Sequence, residues 1–190
     1  MRVVVGISGA TGAIYGVRLL ERLRDAAVET HLVVSRWGAR TLLHETTWNR
    51  ERVEALAHAV YAPGDMGAAI SSGSFRTDGM IIAPCSAKTL GAIAHGVGEN
   101  LIHRAADVVL KERRRLVLVV REAPLSEIHL ENMLKLSRMG AVVLPPMPAF
   151  YHRPQSIDDI VDHTVWRALD QLGVEASGAP RWAGEMGIGD

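Results

Sequence analysis

Three groups of residues have the types and spacing to do chemistry. The first is Gly6-Ile7-Ser8-Gly9-Ala10-Thr11-Gly12, set between an apolar run and a segment of helical period. In an open α/β sheet this first turn receives phosphate: glycines let the backbone approach an anion, the N–H groups of the helix start face it, and Thr11 adds a hydroxyl donor. The spacing departs from G-x-G-x-x-G, and Ser35 stands where a ribose-binding acid would end the second strand. A mononucleotide therefore fits better than a nicotinamide dinucleotide. A plain tight turn is the reading without function.

The second group is Ser71-Ser72-Gly73-Ser74-Phe75 with Pro84-Cys85-Ser86-Ala87-Lys88-Thr89, both of which place hydroxyls and amides at loop positions. If the strand before Pro84 pairs beside the first strand, Ser86 to Thr89 share a crevice with Thr11, at the switch point where ligands bind. Taken alone, the serines are also ordinary turn residues. Cys85 has only Lys88 as a basic neighbour and reads as a small buried side chain rather than a nucleophile.

The third group is charged. Arg104 and Lys111 stand seven apart and so share a helix face, Arg121 lies just past a strand, and Arg167 sits in the final helix. Convergent cations at a strand's carboxyl end suit a phosphate, although a solvated face would also place them there. Glu45 and Glu122 can act as general acid or base where apolar neighbours raise a carboxyl pKa toward neutrality. His129 reads as a core or interface histidine. Eight histidines without H-E-x-x-H or comparable spacing predict no metal.

These residues need a frame, and short β-branched runs alternating with helical segments supply one: a parallel sheet with crossover helices. Strands are expected at 3–7, 31–35, 79–83, 116–120 and 141–144, apolar throughout because both faces are covered. A first helix is expected over 13–26, with Ile14, Val17, Leu20 and Leu23 inward. Ser35 and Ser126 are expected to cap helices, the second carrying Ile128, Leu130, Met133 and Leu134. Ser156-Ile157-Asp158-Asp159 resembles a capping box with Asp in place of Glu, ahead of a stripe of Ile160, Val161, Val165, Leu169 and Leu172.

The 190 residues are 48% hydrophobic and carry 21 basic against 21 acidic side chains. That length and balance predict one domain, taken as residues 1–175, and a Gly- and Ala-rich tail over 176–190 that docks through Trp182. Zero formal net charge leaves no general field for nucleic acid or an anionic membrane surface. No apolar run approaches the ~20 residues of a membrane span. The single cysteine excludes an internal disulfide and fits a cytoplasmic location.

The chain resembles the UbiX-like flavin prenyltransferases. The segments that carry the resemblance are Gly9-Ala10-Thr11-Gly12-Ala13, Ser72-Gly73-Ser74, Pro84-Cys85-Ser86, Lys88-Thr89-Leu90, Arg104-Ala105-Ala106-Asp107-Val108, Leu110-Lys111-Glu112, Arg121-Glu122, His129-Leu130-Glu131-Asn132-Met133-Leu134 and Pro146-Met147-Pro148-Ala149-Phe150-Tyr151. They span nearly the whole chain and thin out over 46–69 and in the tail. Within the family the chain is most like members that accompany phenolic-acid decarboxylases, as in Ser71-Ser72-Gly73-Ser74-Phe75-Arg76-Thr77-Asp78-Gly79-Met80.

The resemblance implies a single-domain α/β subunit, a Rossmann-like or flavodoxin-like three-layer sandwich with a mainly parallel sheet. It implies FMN binding and a homododecamer with its site at a subunit contact. The implied reaction joins a dimethylallyl group from dimethylallyl monophosphate to N5 and C6 of reduced FMN, and the product, prenylated FMN, serves UbiD-like decarboxylases. Carried over by position, Gly9, Ala10, Thr11, Ser35, Ser86, Ala87, Lys88, Thr89 and Arg121 would hold FMN. Arg104, Lys111, Arg121, Tyr151 and Arg167 would grip the prenyl phosphate. Thr11, Glu45 and Glu122 would move protons, and Trp182 would shield the allylic cation by a cation–π contact. Three other readings share the fold or ligand: a flavin-dependent cysteine decarboxylase, a direct aromatic-acid decarboxylase subunit, and a carrier that binds FMN without altering it.

Overall fold

The computed structural model describes residues 1–175 together with Gly178, Arg181, Trp182 and Gly184; the remainder of the expected tail lies outside the described residues. Six strands form one sheet: β1 (Arg2–Ile7), β2 (Glu29–Val34), β3 (Ala59–Tyr61), β4 (Gly79–Cys85), β5 (Arg115–Val120) and β6 (Val142–Val143). Their order is β3-β2-β1-β4-β5-β6, and every described pairing is parallel, so the expected mainly parallel sheet is wholly so. This is the Rossmann order, in which successive connections leave β1 in opposite directions and open a crevice at the carboxyl ends of β1 and β4.

Seven α-helices fill the connections: α1 (Ala13–Asp25), α2 (Arg36–Glu45), α3 (Arg50–Glu54), α4 (Ala87–Ala94), α5 (Leu101–Lys111), α6 (Glu127–Arg138) and α7 (Ile157–Asp170). Val3, Val5 and Ile7 of β1 join a cluster with Val17, Leu42, Val53 and Val165, so α1, α2, α3 and α7 cover one face. Val4 joins Leu90, Ile102 and Leu136 on the other, under α4, α5 and α6. Neighbouring side chains on a strand point to opposite faces. Two covered faces therefore demand the unbroken apolar runs that mark these strands in the sequence.

The expected helix stripes hold. Val17, Leu20 and Leu23 of α1 are fully buried and Ile14 partly; Val161, Val165 and Leu169 of α7 are buried, with Ile160 and Leu172 at the margin. Ser35, Ser126 and Ser156 each cap a helix, and Asp159 completes the Ser156 capping box. Two expectations change at the sheet edges. β6 is only two residues long where four were expected, because Pro145, Pro146 and Pro148 follow and lack ladder donors. β3 was not expected: three residues tied to β2 by register and by a 2.8 Å bond between Tyr61 Oη and His31 Nδ1. α6 turns Ile128, Leu130 and Leu134 outward, each more than half exposed.

The sheet and α1 meet closely at Gly16, where an added Cβ would lie 2.5 Å from the Ala83 carbonyl oxygen and 2.8 Å from Ile7 side-chain atoms. Backbone cannot step aside as a side-chain tip can. Gly16→Ala gains ~1 kcal/mol of helix propensity but meets an overpacking cost of roughly 1–3 kcal/mol or more. A lowered urea midpoint is expected at unchanged m-value; a midpoint equal to or above wild type would show that α1 slides freely.

Candidate active site

The crevice is built by buried Ser8. Its hydroxyl donates to the Pro84 carbonyl at 2.8 Å and accepts the Ser86 N–H at 2.8 Å, tying the end of β1 to the end of β4. Around that tie three helices begin. Ser35 Oγ accepts the Gly38 N–H at the start of α2, Ser86 Oγ accepts the Thr89 N–H at the start of α4, and Asn100 Oδ1 accepts the His103 N–H at the start of α5. All three starts line one cleft of about 520 Å³, with Gly9, Arg36, Trp37, Ala87, Lys88 and Glu122. A cap takes one of a helix's first free N–H groups and leaves the others, so three positive helix ends face the cleft; its two cations, Arg36 and Lys88, are matched by Glu99 and Glu122, and the helix ends supply the attraction for an anion. The size suits a mononucleotide. β4 does pair beside β1, which brings Ser86 to Thr89 to this crevice as expected.

The start of α1 is arranged differently from the expectation of free amides. Gly12 has φ +90° and offers no side-chain cap. Glu45, at the end of α2, supplies one instead: its Oε2 accepts the N–H groups of Gly12 at 2.8 Å and Ala13 at 3.1 Å, and the Thr11 hydroxyl lies close enough to lower its pKa. Thr11 and Glu45 are thus together, beside the cleft and not among its lining residues. The condition set for Glu45, a carboxyl raised toward neutrality by apolar neighbours, is not met. Burial pushes its pKa up, but hydrogen bonds from Thr11, Ala13 and Gly12 outweigh burial and hold it below the usual value, leaving a carboxylate anion. Glu122 lies exposed on the cleft wall and bonds only its neighbour's N–H.

The other candidates occupy two further places. Tyr151, Arg167 and Trp182 line a second cleft of about 530 Å³, with Trp182 edge-on to Tyr151 at 5.6 Å and Asp170 holding Arg167 and Arg181. Arg104 and Lys111 do not join them. They belong to α5, on the opposite layer from α7, and face the segment that contains Ser71 to Phe75: Arg104 donates to the Ser71 carbonyl and pairs with Asp107, and Lys111 pairs with Glu112 beside Gly73. The shared helix face was read correctly; the shared site does not form within one chain. Ser71 to Phe75 also stays out of the crevice. Its carbonyls bond Arg114, near the amino-terminal edge of the sheet, and the Ser72 and Ser74 hydroxyls bond each other.

Arg121 follows β5; burial raises the pKa of Tyr15 on α1, and the nearby Thr164 hydroxyl of α7 and the Arg121 charge oppose that rise. In sequence Arg121 adjoins Glu122 of the first cleft and Thr164 adjoins His163 of the second. Tyr15, Trp37, Asn100 and His103 were missed from sequence. Asn100 left a readable signal, a cap residue ahead of an apolar stripe; a lone aromatic inside a helix leaves none. Cys85 is fully buried, and burial pushes its thiol up to about 12, which removes it as a nucleophile. His129 is not a core histidine: its Nδ1 accepts the Ser126 N–H in a capping box. Among the described residues no three His, Cys, Asp or Glu side chains are grouped to hold a metal, and no helix is long and apolar enough to cross a membrane.

The Glu45 cap has a measurable sign. A carboxylate whose folded pKa is depressed contributes stability that is present above its unfolded pKa of ~4.3 and lost as pH falls through the folded value. Glu45→Gln should therefore cost about 1 kcal/mol near neutrality, in the range of a lost helix cap, and the gap to wild type should close as the medium is acidified below about pH 4. A gap independent of pH would remove the charge from the argument.

Comparison with known proteins agrees with this geometry. The Flavoprotein family matches residues 1–169. A probable UbiX-like flavin prenyltransferase of Streptomyces sp. (strain D7) is 64% identical over 185 residues, covering 97% of this chain and 92% of the relative. The crystal structure of a dodecameric FMN-dependent UbiX-like decarboxylase from Escherichia coli O157:H7 has a TM-score of 0.95 at 58% identity, covering 97% of this chain and 100% of that one. The structure of AnUbiX in complex with FMN and dimethylallyl pyrophosphate has a TM-score of 0.96 at 54% identity, over 97% and 98% of the two chains. Identity of this level along the whole length, on a Rossmann-ordered sheet with an anion cleft at its switch point, places the chain in the UbiX-like flavin prenyltransferase family.

Proposed function

We infer that the chain transfers a dimethylallyl group from dimethylallyl monophosphate to reduced FMN, at N5 and C6, to make prenylated FMN for a UbiD-like decarboxylase. The observation that carries this reading is identity along the whole chain to a probable UbiX-like flavin prenyltransferase and to AnUbiX solved with FMN and dimethylallyl pyrophosphate, and it is supported by two separate clefts, one ringed by helix starts and one lined by Tyr151, Arg167 and Trp182. A carrier of FMN has no use for the second cleft.

The assigned roles follow from the chemistry. The allylic C–O bond breaks and inorganic phosphate leaves as N5 is alkylated and gives up its proton; closure onto C6 then consumes the prenyl alkene, which takes up one proton, while C6 loses one. Gly9, Ala10, Ser35, Ser86, Ala87, Lys88, Thr89 and Arg121 hold FMN. Tyr151 and Arg167 hold the phosphate and stabilise its growing charge. The Trp182 face shields the allylic cation from water. The Thr11–Glu45 pair, with its anionic carboxylate, is the proton acceptor, and Glu122 on the cleft wall is the second candidate for that role. The compartment we assign is the cytoplasm.

Arg104 and Lys111 can reach a phosphate held by Tyr151 and Arg167 only from a second copy of the chain. A homododecamer supplies one, and the outward Ile128, Leu130 and Leu134 of α6 offer apolar surface for such contacts.

Anaerobic incubation with reduced FMN and dimethylallyl monophosphate should release a flavin heavier by one prenyl unit; unmodified flavin in repeated trials with competent substrate would sink the transferase reading. Arg167→Ala should raise the KM for the allylic phosphate roughly 10- to 100-fold, the worth of a charge-assisted hydrogen bond, with FMN affinity nearly unchanged. Equal loss of both would remove Arg167 from the phosphate. If the site is shared between chains, Arg167→Ala and Lys111→Ala subunits, each impaired alone at low dimethylallyl monophosphate, should regain turnover at that concentration when co-expressed; absence of any recovery in mixed oligomers would return the site to one chain.

A further inference from the structure

Tyr151 is already engaged where it reaches the second cleft: its Oη lies 2.9 Å from Nε2 of His163. His163 is only 8% exposed and precedes Arg167 by one helical turn on the same face of α7. Its ring stacks on His152 at 4.8 Å with 12° between planes and meets Tyr151 edge-on at 5.7 Å. Packing of this kind fixes the direction of its ring nitrogens.

That direction matters because a tyrosine hydroxyl has one proton. If Nε2 of His163 accepts it, the proton is spent inside the protein and Tyr151 turns lone pairs toward the cleft, where they repel a phosphate. If Nε2 carries a proton, it donates to Oη, and the hydroxyl proton is left for the ligand. Among the described residues the only hydrogen bond of the His163 ring is the one at Nε2, so no protein acceptor competes for a proton on Nδ1, and a phosphate that needs the Tyr151 hydroxyl proton selects the Nε2–H tautomer. The two ring nitrogens of the stacked His152 have no hydrogen-bond partner. Burial, then the charges of His152 and Arg167, lower the His163 pKa, which keeps the ring neutral at pH 7 and leaves one proton to place.

We propose that His163 is a positioning residue that carries its proton on Nε2 and thereby presents the Tyr151 hydroxyl as a hydrogen-bond donor to the departing phosphate beside Arg167. This rests on the prenyl-transfer reading for the identity of the phosphate, and on the geometry alone for the direction of the hydrogen bond.

The test uses the FMN-loaded protein, with inorganic phosphate titrated against tryptophan fluorescence and turnover of dimethylallyl monophosphate measured in parallel. His163→Leu should weaken phosphate binding and raise the KM for the allylic phosphate about tenfold, the worth of one hydrogen bond, and should have no further effect in a Tyr151→Phe background. His163→Gln, whose amide N–H can replace Nε2–H, should stay within about threefold of wild type, in keeping with a kept donor. Wild-type phosphate affinity in His163→Leu, or an undiminished loss in the Tyr151→Phe background, would overturn the proposal. A wild-type protein that binds phosphate in this pattern yet makes no prenylated FMN would instead refute the transferase reading and leave the His163–Tyr151 arrangement standing.

Discussion

The hydroxyl of Ser8 is the interaction on which the functional architecture depends. A parallel sheet parts at its switch point because the connections from β1 and β4 travel in opposite directions, and beyond the last registered pair the backbone adds one bond between the strand ends, from the Ser8 N–H to the Pro84 carbonyl at 3.2 Å. Ser8 is buried at that place, and it satisfies both the Pro84 carbonyl and the Ser86 N–H. Through Ser86 it sets the start of α4, and through the adjoining Gly9 it sets the wall opposite. The cleft is the space that this tie leaves open.

The electrostatics are local rather than global. The chain has no net charge, and four of the cations assigned to a ligand idle on a nearby acid: Lys88 on Glu99 at 2.9 Å, Arg104 on Asp107 at 2.6 Å, Lys111 on Glu112 at 2.6 Å and Arg167 on Asp170 at 3.1 Å. Such exposed pairs are worth at most ~1 kcal/mol, so a phosphate recruits these side chains at small cost. The acids also keep the long cationic side chains extended in the meantime.

Much of this was legible in the sequence, for reasons specific to each element. Strands covered on both faces must be apolar throughout, so β1, β2, β4 and β5 announce themselves, and Ser35, Ser126 and Ser156 announce the helix starts they cap. β3 has three residues, none of them buried, so only its partner β2 defines it. Within the site, Ser86 to Thr89 were readable because they follow a strand. The Glu45 cap was not, because its partners lie more than thirty residues away and no local spacing encodes the bond. The separation of Arg104 and Lys111 from Arg167 was hidden for a related reason: periodicity gives a helix its buried face but does not say which side of the sheet it will cover.

The burial of Cys85 bears on the company this protein keeps. Reduced flavins react with dioxygen and release hydrogen peroxide, which attacks thiolates by preference. The one sulfhydryl here is enclosed in the core under β4 and protonated at any physiological pH, so it forms no thiolate for the oxidant to find. A member of a flavoprotein family therefore carries its only cysteine where an oxidant released by flavin chemistry does not reach it, and the thiol is closed to cross-linking in air.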